Sequence, residues 1–196
     1  MAITINGTGS ITGLTAGGLP DGSVTTDDLA ANAVTAAKLA SGAGGKILQV
    51  VQGTTSTQVV VNTTTYTDSG LSASITPTSN TSKILVLINQ EIFLGRSSSA
   101  TYAGIRVYRD STLIHDSVTD STGPYDYTIS AGGATSVALY TRAAFSILDS
   151  PGSTSSLTYK TQGRPYESSS SANITFNGSA SAVNATSYII LLEVAA

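Results

Sequence analysis

From Lys46 onward, apolar residues recur at alternate positions in short runs, separated by clusters of Gly, Pro, Asp, Ser and Thr. A period of two marks strands with one buried face. It predicts strands at Ile47 to Gln52, at Gln58 to Val61, and at Tyr66 to Thr76, where Leu71, Ala73 and Ile75 share a face and Pro77 ends the run. Lys83 to Leu94 is the most apolar stretch. Its near-continuous run predicts burial on both faces, at the centre of a sandwich or at a subunit interface. Ile105 to Ile114 predicts a hairpin turning at Asp110-Ser111. Ser136 to Leu148 is a further strand, closed by the turn residues Asp149-Ser150-Pro151-Gly152. Leu157 to Gln162, Asn173 to Phe176 and Thr186 to Val194 complete the set. Short strands punctuated by turn signals predict an all-β, jelly-roll-like antiparallel β-sandwich over residues 46–196.

Residues 1–45 follow a different pattern. They contain no Tyr or Phe and are dominated by Gly and Ala, so they cannot build a core. Ile3, Ile5 and Ile11, interspersed with Gly7, Gly9 and Gly13, predict a short extended piece that pairs with another element. A ten-residue near-repeat follows, Ser23 to Asn32 and Ala33 to Gly42, in which Val24 matches Val34, Thr25 matches Thr35 and Leu29 matches Leu39. Apolar residues five apart do not share a face of one continuous helix. The repeat therefore predicts an extended residue followed by a short helical turn, twice, with Thr26 and Thr35 as N-caps, Asp27 and Asp28 at the positive start of the first turn and Gly42 ending the second. Helical pieces this short need outside support in water. Residues 1–45 are thus expected to be an extended N-terminal arm that anchors to an assembly through Ile3, Ile5, Ile11, Val24, Leu29, Val34 and Leu39, or else a linker.

Composition sharpens this picture. Only 11% of the 196 residues are charged, while Ser and Thr number 29 each. The surface is therefore covered by hydroxyls and amides, well below the usual charge density of about 25%. Net charge is −3 and no basic cluster exists, which argues against nucleic-acid or anionic-membrane partners. The longest apolar runs, Ile84 to Ile88 and Tyr188 to Leu192, are far shorter than a membrane-spanning helix, and the start of the chain does not read as a signal peptide. With no Cys, there is no disulfide framework, thiolate metal site or thiol nucleophile.

The last strand, Ser187 to Val194, carries five consecutive large apolar residues. Such a strand must lie between two layers or at a subunit interface. A homotrimer that buries it around the three-fold axis is the expected solution, with Tyr188, Ile190, Leu192 and Glu193 as interface candidates.

Catalytic signals are weak. His115 is the only histidine and sits beside Asp116 in a predicted strand, where neighbours point to opposite faces. No nucleophile elbow or histidine cluster occurs, and no cofactor or metal is expected. Most carboxylates fall in turns, so no pair stands out for glycoside hydrolysis. Arg106, Arg109 and Arg142 are candidates to bind carboxylates, including Glu193. Tyr102, Tyr125, Tyr127 and Tyr166, in loop-like segments, are candidate glycan contacts.

Met1 to Leu14 with Gly18-Leu19-Pro20-Asp21-Gly22-Ser23-Val24, and the decapeptide around Ala33 to Ala40, resemble the N-termini and repeats of tail-fibre-like and virion structural proteins of tailed, notably marine, bacteriophages. Ser82 to Val86, Val107 to Thr112, Phe145 to Pro151, Thr158 to Lys160 and Leu191 to Val194 resemble the heads of the same proteins. The resemblance implies a non-enzymatic, trimeric decoration, short spike or fibre protein on the virion surface, attached to other capsid or tail proteins. Its alternatives are a receptor-binding fibre tip that recognises a host cell-surface glycan and, third, a glycan hydrolase. The chain lacks a long shaft, since an arm of 45 residues spans at most ~150 Å. That sets a decoration protein or short spike at least level with a far-reaching fibre.

Overall fold

The computed structural model describes residues 4–5, 11–12, 24–31, 33–35, 38, 46–96, 101–117, 127–129, 137–166, 172–178 and 185–196. The chain divides into two units, Met1–Gly44 and Gly45–Ala196.

In the first unit, β1 (Thr4–Ile5) pairs antiparallel with β2 (Ile11–Thr12), so Ile5 lies opposite Ile11. The extended piece thus pairs with itself rather than with a separate element. A 3-10 turn spans Thr26–Asp28. Its cap is Thr25, not Thr26. Thr25 is extended, and its N–H and hydroxyl both donate to the Asp28 carboxylate at 2.8 Å. These two bonds hold the Asp28 carboxyl below its ordinary range. The decapeptide repeat reappears as geometry. Asp28 N–H donates to Thr25 O at 3.2 Å and, ten residues later, Lys38 N–H donates to Thr35 O at 2.9 Å. Val24, Leu29 and Val34 are exposed. Ile3 and Leu39 lie outside the described residues.

The second unit is the expected antiparallel β-sandwich. One sheet contains β3 (Ile47–Thr55), β4 (Val59–Val61), β6 (Lys83–Arg96), β10 (Val137–Asp149), β12 (Ala172–Phe176) and β13 (Ser187–Val194). The other contains β5 (Thr67–Ile75), β7 (Thr101–Arg109), β8 (Thr112–Asp116), β9 (Tyr127–Ile129) and β11 (Leu157–Pro165). β6 organises the first sheet. It pairs with β10 along its whole length, with β13 along its first half and with β12 along its second. In the second sheet the order is β5-β11-β7-β8, with β9 beside the start of β7. The β7–β8 hairpin turns at Asp110, whose φ of 50° is left-handed. Asp110 is tied to β11 in both directions: its N–H donates to Thr158 O and its carboxylate accepts Thr158 N–H.

Alternation sends one face of each strand inward. Leu71, Ala73 and Ile75 of β5, Val107, and Leu157 and Tyr159 of β11 meet Ile84, Val86 and Ile88 of β6 and Ile189 and Leu191 of β13. A second cluster joins Ala103 and Ile105 to Val61, Ile92, Leu94, Ala143, Ile174 and Phe176. Each fully buried Leu or Ile contributes ~1.5–3 kcal/mol relative to exposure. Gly163 is required at the second cluster, because a Cβ there would sit 2.5 Å from the Phe176 ring.

A polar waist separates the two clusters. Gln90 lies on β6 between Ile88 and Ile92, and Ser69, Gln90, Thr161, Asn177 and Ser187 are all fully buried. The Gln90 side-chain oxygen faces the Ser69 and Thr161 hydroxyls at 3.1 and 2.7 Å, and its Nε2 donates to Asn177 Oδ1 and Ser187 Oγ at 2.8 and 3.1 Å. Asn177, at a left-handed φ of 60°, donates through Nδ2 to Thr57 O and Ser69 O. Every member has a partner, the condition under which a buried polar network fixes one arrangement of the sheets.

Candidate functional site

The outward face of the first sheet carries one apolar row that crosses four strands. Register sets Val50 of β3 beside Leu192 of β13, Leu192 beside Leu85 of β6, and Leu85 beside Leu148 of β10. The next row along is Gln52, Ile190, Leu87 and Ser146, and the row after it is Thr54, Tyr188, Asn89 and Ala144. Val50 and Leu148 are 59% and 56% exposed, whereas the central Leu85, Leu87, Tyr188, Ile190 and Leu192 are half-buried by their neighbours. The face ends in a polar margin. Arg142 Nε pairs with Glu91 at 3.2 Å and Arg142 Nη1 donates to Asn89 Oδ1 at 2.7 Å. Beyond it, Tyr140 packs on Phe93 with ring centroids 4.8 Å apart.

Three of the four residues expected at a subunit interface, Tyr188, Ile190 and Leu192, share this face. Glu193 does not. Alternation turns it inward with Ser187, Ile189 and Leu191, where it is fully buried. Among the described residues no arginine pairs with it, contrary to expectation: Arg106, Arg109 and Arg142 take Asp116, Asp149 and Glu91. Gln49 Nε2 donates to its carboxylate at 2.6 Å, and the Thr78 N–H and hydroxyl each donate at 2.7 Å. Burial alone would raise its pKa, but these bonds outweigh burial and lower it to about 2. β13 lies mid-sheet, one of the two positions expected of it, because β3 and β6 pair with it on either side. Val50, Leu85, Leu87 and Leu148 were not anticipated as partners on this face. Leu85 and Leu87 were signalled by the unbroken apolar run of β6. The position of Leu148 follows only from register.

The arginines take intrachain partners. Arg106 pairs with Asp116 at 2.8 Å and Arg109 with Asp149 at 2.6 Å. The Tyr159 hydroxyl also donates to Asp149, and burial followed by that carboxylate raises the phenol's pKa. His115 and Asp116 do point apart. His115 is half-buried with its ring 5.0 Å from that of Phe145. Among the described residues, no three His, Cys, Asp or Glu side chains cluster as metal ligands.

The tyrosines expected in loops are placed differently. Tyr102 lies within β7 and Tyr127 within β9, because the two strands pair at Tyr102↔Thr128 and Ala103↔Tyr127. Tyr166 follows the end of β11, and Tyr125 lies outside the described residues. Tyr102 and Tyr166 meet edge to face, with ring centroids 5.9 Å apart. They stand on the outward face of the second sheet. There, Arg106 and Arg164 place guanidinium carbons 3.9 and 4.9 Å from the centroid of the Tyr66 ring. Farther along, a cavity of about 130 Å³ is lined by Asp68, Gly70, Leu71, Ser72, Thr158 and Lys160. Lys160 Nζ and Gln162 Nε2 both donate to Asp68, at 2.9 and 2.6 Å.

No protein-family model matches this chain, and no curated protein matches it.

Proposed function

We propose that this chain is a non-enzymatic structural protein of a tailed-bacteriophage particle, a homotrimeric surface decoration or short spike. Residues 1–45 attach it to capsid or tail proteins and the sandwich is displayed outward. The observation that carries this reading is the Val50–Leu192–Leu85–Leu148 row on the outward face of the first sheet. An exposed apolar sheet face is an aggregation hazard unless something covers it. Further copies of the same chain are the fitting occupant. The register lines these residues up in regular rows, and the charged margin already holds its own Glu91–Arg142 pair, so contact strands no lone charge.

Size explains why the arm belongs to the same function. Strand spacings of ~4.8 Å and same-face repeats of ~6.7 Å give a patch of roughly 400 Å². A stable interface needs about 800 Å² per partner. The sandwich face supplies half of that, and the exposed Val24, Leu29 and Val34 of the repeat supply further apolar surface. Three arms on one trimer then convert modest contacts into high avidity.

The test is made on particles. Purified virions are expected to contain the chain in multiples of three, in hundreds of copies if it decorates the capsid. Changing Val24, Leu29 and Val34 together to Asp is expected to remove it from particles while leaving the soluble protein folded. Incorporation of that variant at the original copy number would refute the role of the arm.

A further inference from the structure

The outward face of the second sheet carries a separate chemistry. Alternation along β11 sets Thr158, Lys160, Gln162 and Arg164 on one side, and Tyr166 continues the line. These groups are mostly hydrogen-bond donors, and they run as a ladder from the 130 Å³ cavity to the Tyr102–Tyr166 ring pair. Four residues of strand separate Lys160 from Arg164, a distance of ~13 Å.

Arg164 is the key group. Lys160, Arg106, Arg109 and Arg142 each sit on a carboxylate. Arg164 does not. Its guanidinium lies against the Tyr66 ring and Nη1 donates to Thr64 O at 3.1 Å, with no ion pair among the described residues. The ring contact and the bond to Thr64 O restrain the fork, so an arriving carboxylate finds donors already held in place. The cavity adds the opposite preference. Its Asp68 carboxylate can accept hydrogen bonds from sugar hydroxyls, Lys160 can donate to them, and the Ser72 and Thr158 hydroxyls can do either.

We propose that this face binds an extended saccharide bearing carboxylate groups. One acidic sugar sits at Arg164 against the Tyr102–Tyr166 pair, and a hydroxyl-rich sugar sits in the Asp68–Lys160 cavity. Aromatic edges and faces suit the C–H side of a sugar ring, and a guanidinium with no carboxylate partner among the described residues suits one carboxylate. A nucleic-acid strand fits less well, because its phosphates would run past Asp68 and Asp116 on a chain whose net charge is −3. The proposal goes beyond the role in the particle and does not depend on trimer formation.

The experiment is retention of the purified full-length chain on immobilised oligosaccharides bearing galacturonate, glucuronate, mannuronate or N-acetylneuraminate. Neutral counterparts, sulfated oligosaccharides and a single-stranded oligonucleotide are run in parallel. Retention is expected on at least one carboxylate-bearing probe and to fall tenfold or more with Arg164→Gln. Arg164→Lys is expected to recover it only in part. Tyr166→Ala, at a site 39% exposed, is expected to weaken it while the chain stays folded by circular dichroism. The proposal is overturned if no carboxylate-bearing probe is retained, if neutral, sulfated or nucleic-acid probes bind equally well, or if a folded Arg164→Gln chain binds unchanged.

Discussion

Gln90 and Asn177 are joined by one hydrogen bond, Nε2 to Oδ1 at 2.8 Å, at a point where neither side chain touches solvent. Through it, β6 reaches the residue after β12, and Asn177 in turn donates to Ser69 O on the opposite sheet. Gln90 also faces Ser69 and Thr161 with its oxygen, so the two sheets are held by polar contacts at the waist as well as by the apolar clusters on either side.

Replacing Gln90 with Leu preserves volume but strands the Asn177 oxygen and at least one buried hydroxyl. Each orphaned group costs ~1–3 kcal/mol. A loss of about 2–6 kcal/mol in urea unfolding is expected. A loss below about 1 kcal/mol would mean that water satisfies the network.

Glu193 gives a pH dependence of known sign. Its folded pKa of about 2 lies below the ordinary 4.5, so the folded state binds the proton less readily than the unfolded chain. Its stabilisation is therefore complete above pH ~4.5 and fades as the pH falls towards 2. Glu193→Gln is expected to be less stable at pH 7 and to approach the parent chain near pH 2. Unfolding midpoints measured across that window check this, and a constant gap would contradict it.

Gly163 tests how closely the sheets approach. Gly163→Val introduces a branched side chain where even a Cβ would press on Phe176. Overpacking of this kind costs ~1–3 kcal/mol. Thermal melting of Gly163→Val alone and combined with Phe176→Leu is expected to show partial rescue in the pair. Additive losses would show that the strain lies elsewhere.

Much of the fold was legible from alternation, because a period of two both defines a strand and chooses its buried face. Leu71, Ala73 and Ile75 were placed on one face and are buried there. The Asp110-Ser111 turn was marked by residues suited to turns. The pattern failed where pairing across the sheet decides the outcome. Five apolar residues in β13 concealed that Glu193 shares the inward face with Ile189 and Leu191, and that it is held by Gln49 and Thr78 rather than by an arginine. Tyr102 looked like a loop residue because its neighbours are small, yet pairing with β9 and β11 makes it part of β7. The apolar row itself could not be seen in advance, since Val50, Leu85, Leu148 and Leu192 are brought together only by register.

The most direct measurement is the native mass of the full-length chain at micromolar concentration, by sedimentation, for the parent and for Leu192→Lys. The parent is expected to sediment as three chains, near three times 19.8 kDa. The variant, charged at the centre of the apolar row, is expected to fall towards one chain with its circular dichroism unchanged. A parent protein that sediments as a single chain would contradict the account.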